Sequence, residues 1–170
     1  NVFDPTNGFT AIHADVLRQL QLDKLSADWF FESDLLFRLG TIRAVVCDVP
    51  IPARYGDEES SLVVRRVIGG FAWKHLVNAA KRVFYGYYLR NFNIASIEIA
   101  LGIPLIAFGA WIGVTRWYDG YLRNTPATSG TVMLAALPVL VGIQLVLAFL
   151  SYDLQNVPRD VLHRRLDPPA

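Results

Sequence analysis

The chain has 170 residues, 53% of them hydrophobic, and 16 Lys and Arg against 15 Asp and Glu leave a formal net charge of +1. That length suits one ordinary domain, and so small a charge argues against a nucleic-acid binder, which needs a concentrated basic surface against phosphates. The single cysteine, Cys47, excludes an internal disulfide and a cysteine-cluster metal site, and its setting in "AVVCDV" predicts an inert thiol on a buried strand.

The charges are unevenly placed. Residues 1–93 carry 11 of the 16 Lys and Arg, whereas 94–114 and 131–150 are almost uncharged. The opening "NVFDPTNGF" has neither an initiator Met nor a charged segment leading into an apolar one, so no signal peptide is predicted. Turn chemistry is already under way at Asp4, Pro5, Asn7 and Gly8, and we expect a longer parent protein upstream.

After Ala14, Val16, Leu17, Leu20 and Leu22 recur at helical spacing and predict a short amphipathic helix. Asp28 is placed to cap a second helix running through Leu39, with Gly40 as its stop. "RAVVCDVPI" is rich in β-branched residues and predicts a short strand, followed by the polar loop "PARYGDEESS".

From Leu62 to Asn91 a long helix is expected. Arg66, Gly70, Lys74, Asn78, Lys81 and Arg82 would line a polar face, with Val63, Val67, Phe71, Val77, Phe84 and Tyr88 on a wide apolar one and Trp73, Tyr85 and Tyr87 as amphipathic rings. Basic and aromatic residues beside a membrane span place such a helix in the headgroup region. Residues 94–114 hold one charge, Glu98, and are long enough at about 1.5 Å per residue to cross the ~30 Å hydrocarbon layer; residues 131–150 form a second, uncharged span.

Lys74, Lys81, Arg82 and Arg90 precede the first span, Arg159, Arg164 and Arg165 follow the second, and only Arg116 and Arg123 lie between them. The positive-inside rule therefore leaves both ends cytoplasmic. Gly109 and Gly113 form a GxxxG pair that suits close packing of the hairpin, and Pro104 and Pro138 are expected as tolerated kinks. Glu98 lies one turn into its span and can reach the interface, and two spans with one peripheral charge enclose no polar path, which disfavours a transporter subunit.

Chemistry concentrates in "DWFFESDLLFRLG". Residues two apart on a helix point about 200° away from each other, so Glu32 and Asp34 cannot share one pocket as a paired acid and base. Asp34 stands four residues before Arg38, the spacing of an ion pair, and Glu32 lies in the first turn, where the helix dipole favours its charge. Arg54, beside Tyr55 and Gly56 in a loop, suits a phosphate contact, with Asp57, Glu58 and Glu59 as ordinary alternative partners. His13, His75 and His163 are scattered on separate elements and form neither a metal triad nor a nucleophilic triad.

Taken in order, "DPTNGFTAI", "WFFESDLLFRL", "DVPIPARYGDEESSL", a basic amphipathic helix and a hydrophobic hairpin resemble the C-terminal half of a membrane-anchored family 2 glycosyltransferase. The branch resembled is the polyprenyl-phosphate one, which includes dolichyl-phosphate mannosyltransferases and undecaprenyl-phosphate sugar transferases. The resemblance implies an α/β fold, with residues 1–61 as the C-terminal part of a GT-A-type domain. Residues 62–93 would be a juxtamembrane helix, 94–153 a transmembrane hairpin and 154–170 a cytoplasmic tail.

It further implies transfer, with inversion, of a sugar from a nucleotide sugar to a polyprenyl phosphate at the cytoplasmic face of an inner or plasma membrane. Mg2+ or Mn2+ would sit on a DxD motif upstream of the matched region. This sequence contains no DxD, so the chain alone is expected to be inactive. By the same resemblance Glu32 matches the catalytic carboxylate, as a base or as an orienting group, with Asp34 beside it. Arg54, Thr6, Asn7, Gly8, Tyr55 and Ser60 would bind substrate, and Glu59 stands where related loops often carry Lys. A homo-oligomer is compatible with this reading; the rival is a non-catalytic, membrane-tethered scaffold or partner-binding module.

Overall fold

The structure, a computed structural model, describes residues 8–50 and 64–166. The chain divides into two units, one comprising residues 1–86 with 158–170 and the other Tyr87–Val157.

In the first unit, α1 (Ala14–Arg18) begins at His13, whose Nδ1 accepts from the Asp15 amide at 3.4 Å. A 3-10 turn covers Leu22–Lys24, and α2 spans Phe31–Thr41. Val16 and Leu20, four apart, meet Leu35 and Leu39, also four apart, and with Ala44 they form the buried core. Leu17 and Leu22, expected on the same apolar face, stay exposed.

Asp28 lies just outside α2 rather than at its cap: its carboxylate accepts from the Phe30 amide at 3.0 Å and its carbonyl from the Phe31 amide at 2.9 Å. At the other end Gly40 is inside the helix. The stop is Arg43, held at φ 57°, where the amides of Arg43 and Ala44 return to the carbonyls of Gly40 and Leu39 at 3.1 and 2.9 Å. These two bonds close the helix as a left-handed C-terminal cap normally does, with Leu39 and Ala44 supplying the accompanying apolar contact.

The α/β expectation is corrected here. The described residues contain helices and no strand, and Ala44–Pro50 is irregular chain. β-branched residues favour a strand only when a neighbouring edge completes the ladder, and no such edge is found among the described residues. Val46 packs against the helical core instead, and Cys47, expected to be buried, is exposed.

α3 runs Val64–Phe84 and passes into a π-helical turn at Tyr85–Arg90. It packs on α2. A short α6 (His163–Leu166) meets α1, where the His163 ring stacks on His13 at 4.2 Å and 10°.

The second unit is a helical hairpin of α4 (Ile94–Arg123) and α5 (Ser129–Gln155), both long and apolar enough to cross a membrane. α4 starts with a capping box in which the Asn93 side chain accepts from the Ala95 amide at 2.9 Å and Ser96 Oγ accepts from the Asn93 amide at 3.1 Å. Its stop is Asn124 at φ 51°. Helix therefore continues past the uncharged stretch through Arg116, Asp119 and Arg123, and the connection is only 124–128, shorter than the apolar boundaries suggest.

α4 and α5 approach closely where side chains are missing. A Cβ on Gly109 would stand 2.5 Å from the Ala135 carbonyl oxygen, and one on Gly142 2.7 Å from the Gly102 carbonyl oxygen. Gly113, the second glycine of the GxxxG pair, would meet only Ala135 Cβ, at 3.5 Å. The close contacts thus recur seven residues apart, at Gly102 and Gly109, rather than four. Pro104 and Pro138 lie inside their helices.

Two glycine substitutions should therefore act with opposite signs. Gly109→Ala should destabilise the hairpin by about 1–3 kcal/mol through overpacking. Gly40→Ala, with nothing within 4 Å of its new Cβ, should stabilise the first unit by about 0.5–1 kcal/mol. Reversible unfolding in detergent micelles measures both, and a neutral Gly109→Ala would contradict the packing described.

Candidate functional site

The face between α2 and α3 brings together polar side chains from both helices and from the turn before α2. At its centre is Asp34, 6% exposed. Three donors converge on its carboxylate: Arg38 Nε at 3.0 Å, the Ser26 amide at 3.1 Å and Asn78 Nδ2 at 3.3 Å. The expected Asp34–Arg38 pair is thus present, but enclosed rather than at the surface. Arg38 also donates through Nη2 to the Lys24 carbonyl, so the guanidinium is held at both ends.

Phe30, 2% exposed, seals the apolar side. Phe71 and His75 of α3 meet its ring edge-on at 5.6 and 4.8 Å, and Lys74 Nζ stands 5.4 Å from the ring centroid. Lys74 bonds the Asp28 carboxylate and approaches Ser26 Oγ at 3.4 Å. An open cleft of about 270 Å³ results, lined by Lys24, Arg38, Lys74 and Lys81 with Trp73 on one wall; Arg38 is paired with Asp34 and Lys74 with Asp28, so Lys24 and Lys81 are the cations that no carboxylate opposes among the described residues. The remaining excess of two cations in a small cleft is compatible with an anion of phosphate size.

Glu32 stands elsewhere. It is half-buried in the first turn of α2, does not line the cleft and makes no hydrogen bond or ion pair among the described residues. Gly8 is exposed, with nothing within 4 Å of a built Cβ. Thr6, Asn7, Arg54, Tyr55 and Ser60 lie outside the described residues.

α3 has two unlike faces. Phe71, Lys74, Val77 and Asn78 are half-buried on the side that meets α2. Leu76 lies on the opposite side and Trp73 and Phe84 on the flank, with Trp73 at the edge of the cleft; they are 61, 66 and 54% exposed. The polar face expected to meet water and headgroups is therefore partly spent on α2. The signal available in the sequence was the matching four-residue spacing of Asp34 and Arg38 with Lys74 and Asn78.

Lys74, donating to Asp28, lowers that carboxyl from 3.8 to about 2, and the Phe30 amide and Ser26 hydroxyl act in the same direction. Because the folded value lies below the ordinary one, the pairing stabilises fully above about pH 4 and is lost as pH falls through about 2. Carboxyl-detected NMR should show Asp28 titrating near the lower value in the parent and closer to 3.8 in Lys74→Met, where the Phe30 amide and Ser26 hydroxyl still hold it down. Titration at the ordinary value in both would remove the Lys74–Asp28 link between α2 and α3. Comparison of the chain with protein-family models, with curated proteins and with solved structures found no match.

Proposed function

We propose that this chain is the acceptor-side and membrane-anchoring part of an inverting sugar transferase that moves a sugar from a nucleotide sugar to a polyprenyl phosphate. The observation that supports it is the cationic α2/α3 cleft, built on the same helix as "ESDLLFRL" in a chain with two helices long and apolar enough to cross a membrane. α3 lies along the headgroup layer in this reading, with Trp73, Leu76 and Phe84 toward the acyl chains and cations toward the phosphates. The membrane is an inner or plasma membrane, and both chain ends are cytoplasmic.

In the reaction a lipid-phosphate oxygen attacks the anomeric carbon, and the bond from that carbon to the nucleoside diphosphate breaks with inversion. The acceptor phosphate is already ionised at neutral pH, so the carboxylate of Glu32 orients sugar or acceptor at least as much as it removes a proton. Asp34 positions Arg38, and Arg54, with Tyr55, Ser60, Thr6, Asn7 and Gly8, holds phosphate groups. The divalent metal belongs on a DxD motif outside this sequence, and no step here is routed through it.

Membranes carrying the full gene product should pass labelled sugar to polyprenyl phosphate, and Glu32→Gln should lower turnover about 10²-fold or more with folding intact. Asp34→Asn leaves three donors facing a weaker acceptor and should cost about 1–3 kcal/mol of stability. No transfer across a panel of nucleotide sugars, or a fully active Glu32→Gln, leaves the scaffold reading in its place.

Topology can be tested separately in a Cys47→Ser background, since the native thiol is exposed and would itself label. A cysteine at Asn124 should react with an impermeant reagent from outside the cell and one at Asp167 should not; the reverse pattern overturns the orientation.

A further inference from the structure

α5 has two opposite sides. Gly142 and Phe149 are buried against the rest of the hairpin, and the side away from them carries Leu137, Leu140, Gln144, Leu147 and Ser151. These five alternate at spacings of three and four, so they form one stripe along the helix, and all are exposed. Gln144 lies near the middle of the helix, and its side-chain amide makes no hydrogen bond among the described residues. Other polar side chains along the hairpin are accounted for: Thr115 donates to the Trp111 and Ile112 carbonyls, Ser96 to the Tyr87 carbonyl, and Ser151 accepts from Gln155. Glu98, in the second turn of α4, is near the end of its helix.

If α5 crosses a bilayer, as the proposed function requires, the Gln144 amide lies where no water can satisfy it. We infer that Gln144 marks the contact between two copies of this chain, in a parallel α5·α5 pair. A second copy is the partner of matching chemistry because it inserts with the same topology and so presents an identical amide at an identical depth. Each amide has a donor and an acceptor, so two of them related by a two-fold axis complete each other reciprocally. Leu137, Leu140 and Leu147 supply the apolar seam around them, and one polar residue in such a seam fixes its register.

The test uses the full chain, labelled separately with donor and acceptor dyes and reconstituted in phosphatidylcholine and phosphatidylglycerol vesicles. Energy transfer should rise with protein-to-lipid ratio. Gln144→Leu should weaken association about three- to thirtyfold, the equivalent of ~0.6–2 kcal/mol at 1.4 kcal/mol per decade, while the hairpin stays folded. Gln144→Asn should retain most of it. In a Cys47→Ser background, Leu147→Cys should form a disulfide between copies and Val146→Cys should not. Protein retained after an alkaline wash but monomeric at every ratio, or pairing unchanged in Gln144→Leu, overturns the α5 contact alone. Release of the protein by the alkaline wash overturns the spanning reading and the contact together.

Discussion

Asp34 sits at the joint of α2 and α3, where one carboxylate gathers Arg38 from its own helix, the Ser26 amide from the preceding turn and Asn78 from α3. Enclosing a carboxylate is costly unless its lone pairs find donors, and here three are supplied from separate stretches of chain. The position of Arg38, the shape of the cleft and the face that α3 turns inward all follow from meeting that demand. Phe30 and Lys74 complete it from the apolar side, since the same lysine touches an aromatic ring and the Asp28 carboxylate.

Directing polar groups inward has a converse. With Lys74 and Asn78 committed to α2 beside Phe71 and Val77, α3 leaves Trp73, Leu76 and Phe84 exposed, more apolar surface than a helix in water usually shows. Such an arrangement is stable against a surface that is itself apolar. The hairpin solves a different problem: its two apolar helices meet through backbone proximity, and Gly102, Gly109 and Gly142 allow it.

Local features of this molecule were legible in the sequence, and distant pairings were not. The Asp34–Arg38 pair follows from a four-residue spacing, and the two apolar helices follow from uncharged stretches of sufficient length. The strand expected around Cys47 failed because β-branched composition says nothing about whether a partner edge exists. The helical period expected Lys74 and Asn78 on one face of α3 and Phe71 and Val77 on the other, whereas all four turn toward α2, because period alone carries no information about which residues meet protein. Gly113 looked as apt as Gly109, because only the crossing geometry distinguishes them. The scattered histidines gave no sign that His13 and His163, 150 positions apart, would stack. Of the candidate site, Glu32 and Asp34 were recognised as facing apart, whereas the contributions of Lys74 and Asn78 became apparent only with α3 in place.

The start of α4 is built partly from the end of α5. Ser96, fully buried, donates to the Tyr87 carbonyl at 2.5 Å, Tyr88 returns a bond to the Ser96 carbonyl at 2.8 Å, and the Tyr87 ring meets Phe149 edge-on. Tyr87 Oη donates to Asp153 at 2.7 Å and Asn93 to Tyr152 at 3.3 Å, across 66 and 59 positions of chain. During synthesis these last two bonds cannot form until the second helix has left the ribosome. The first helix therefore emerges with its capping box formed but the Tyr87 and Asn93 side chains untethered, so truncation within α5 loosens the approach to the first helix as well as removing the second.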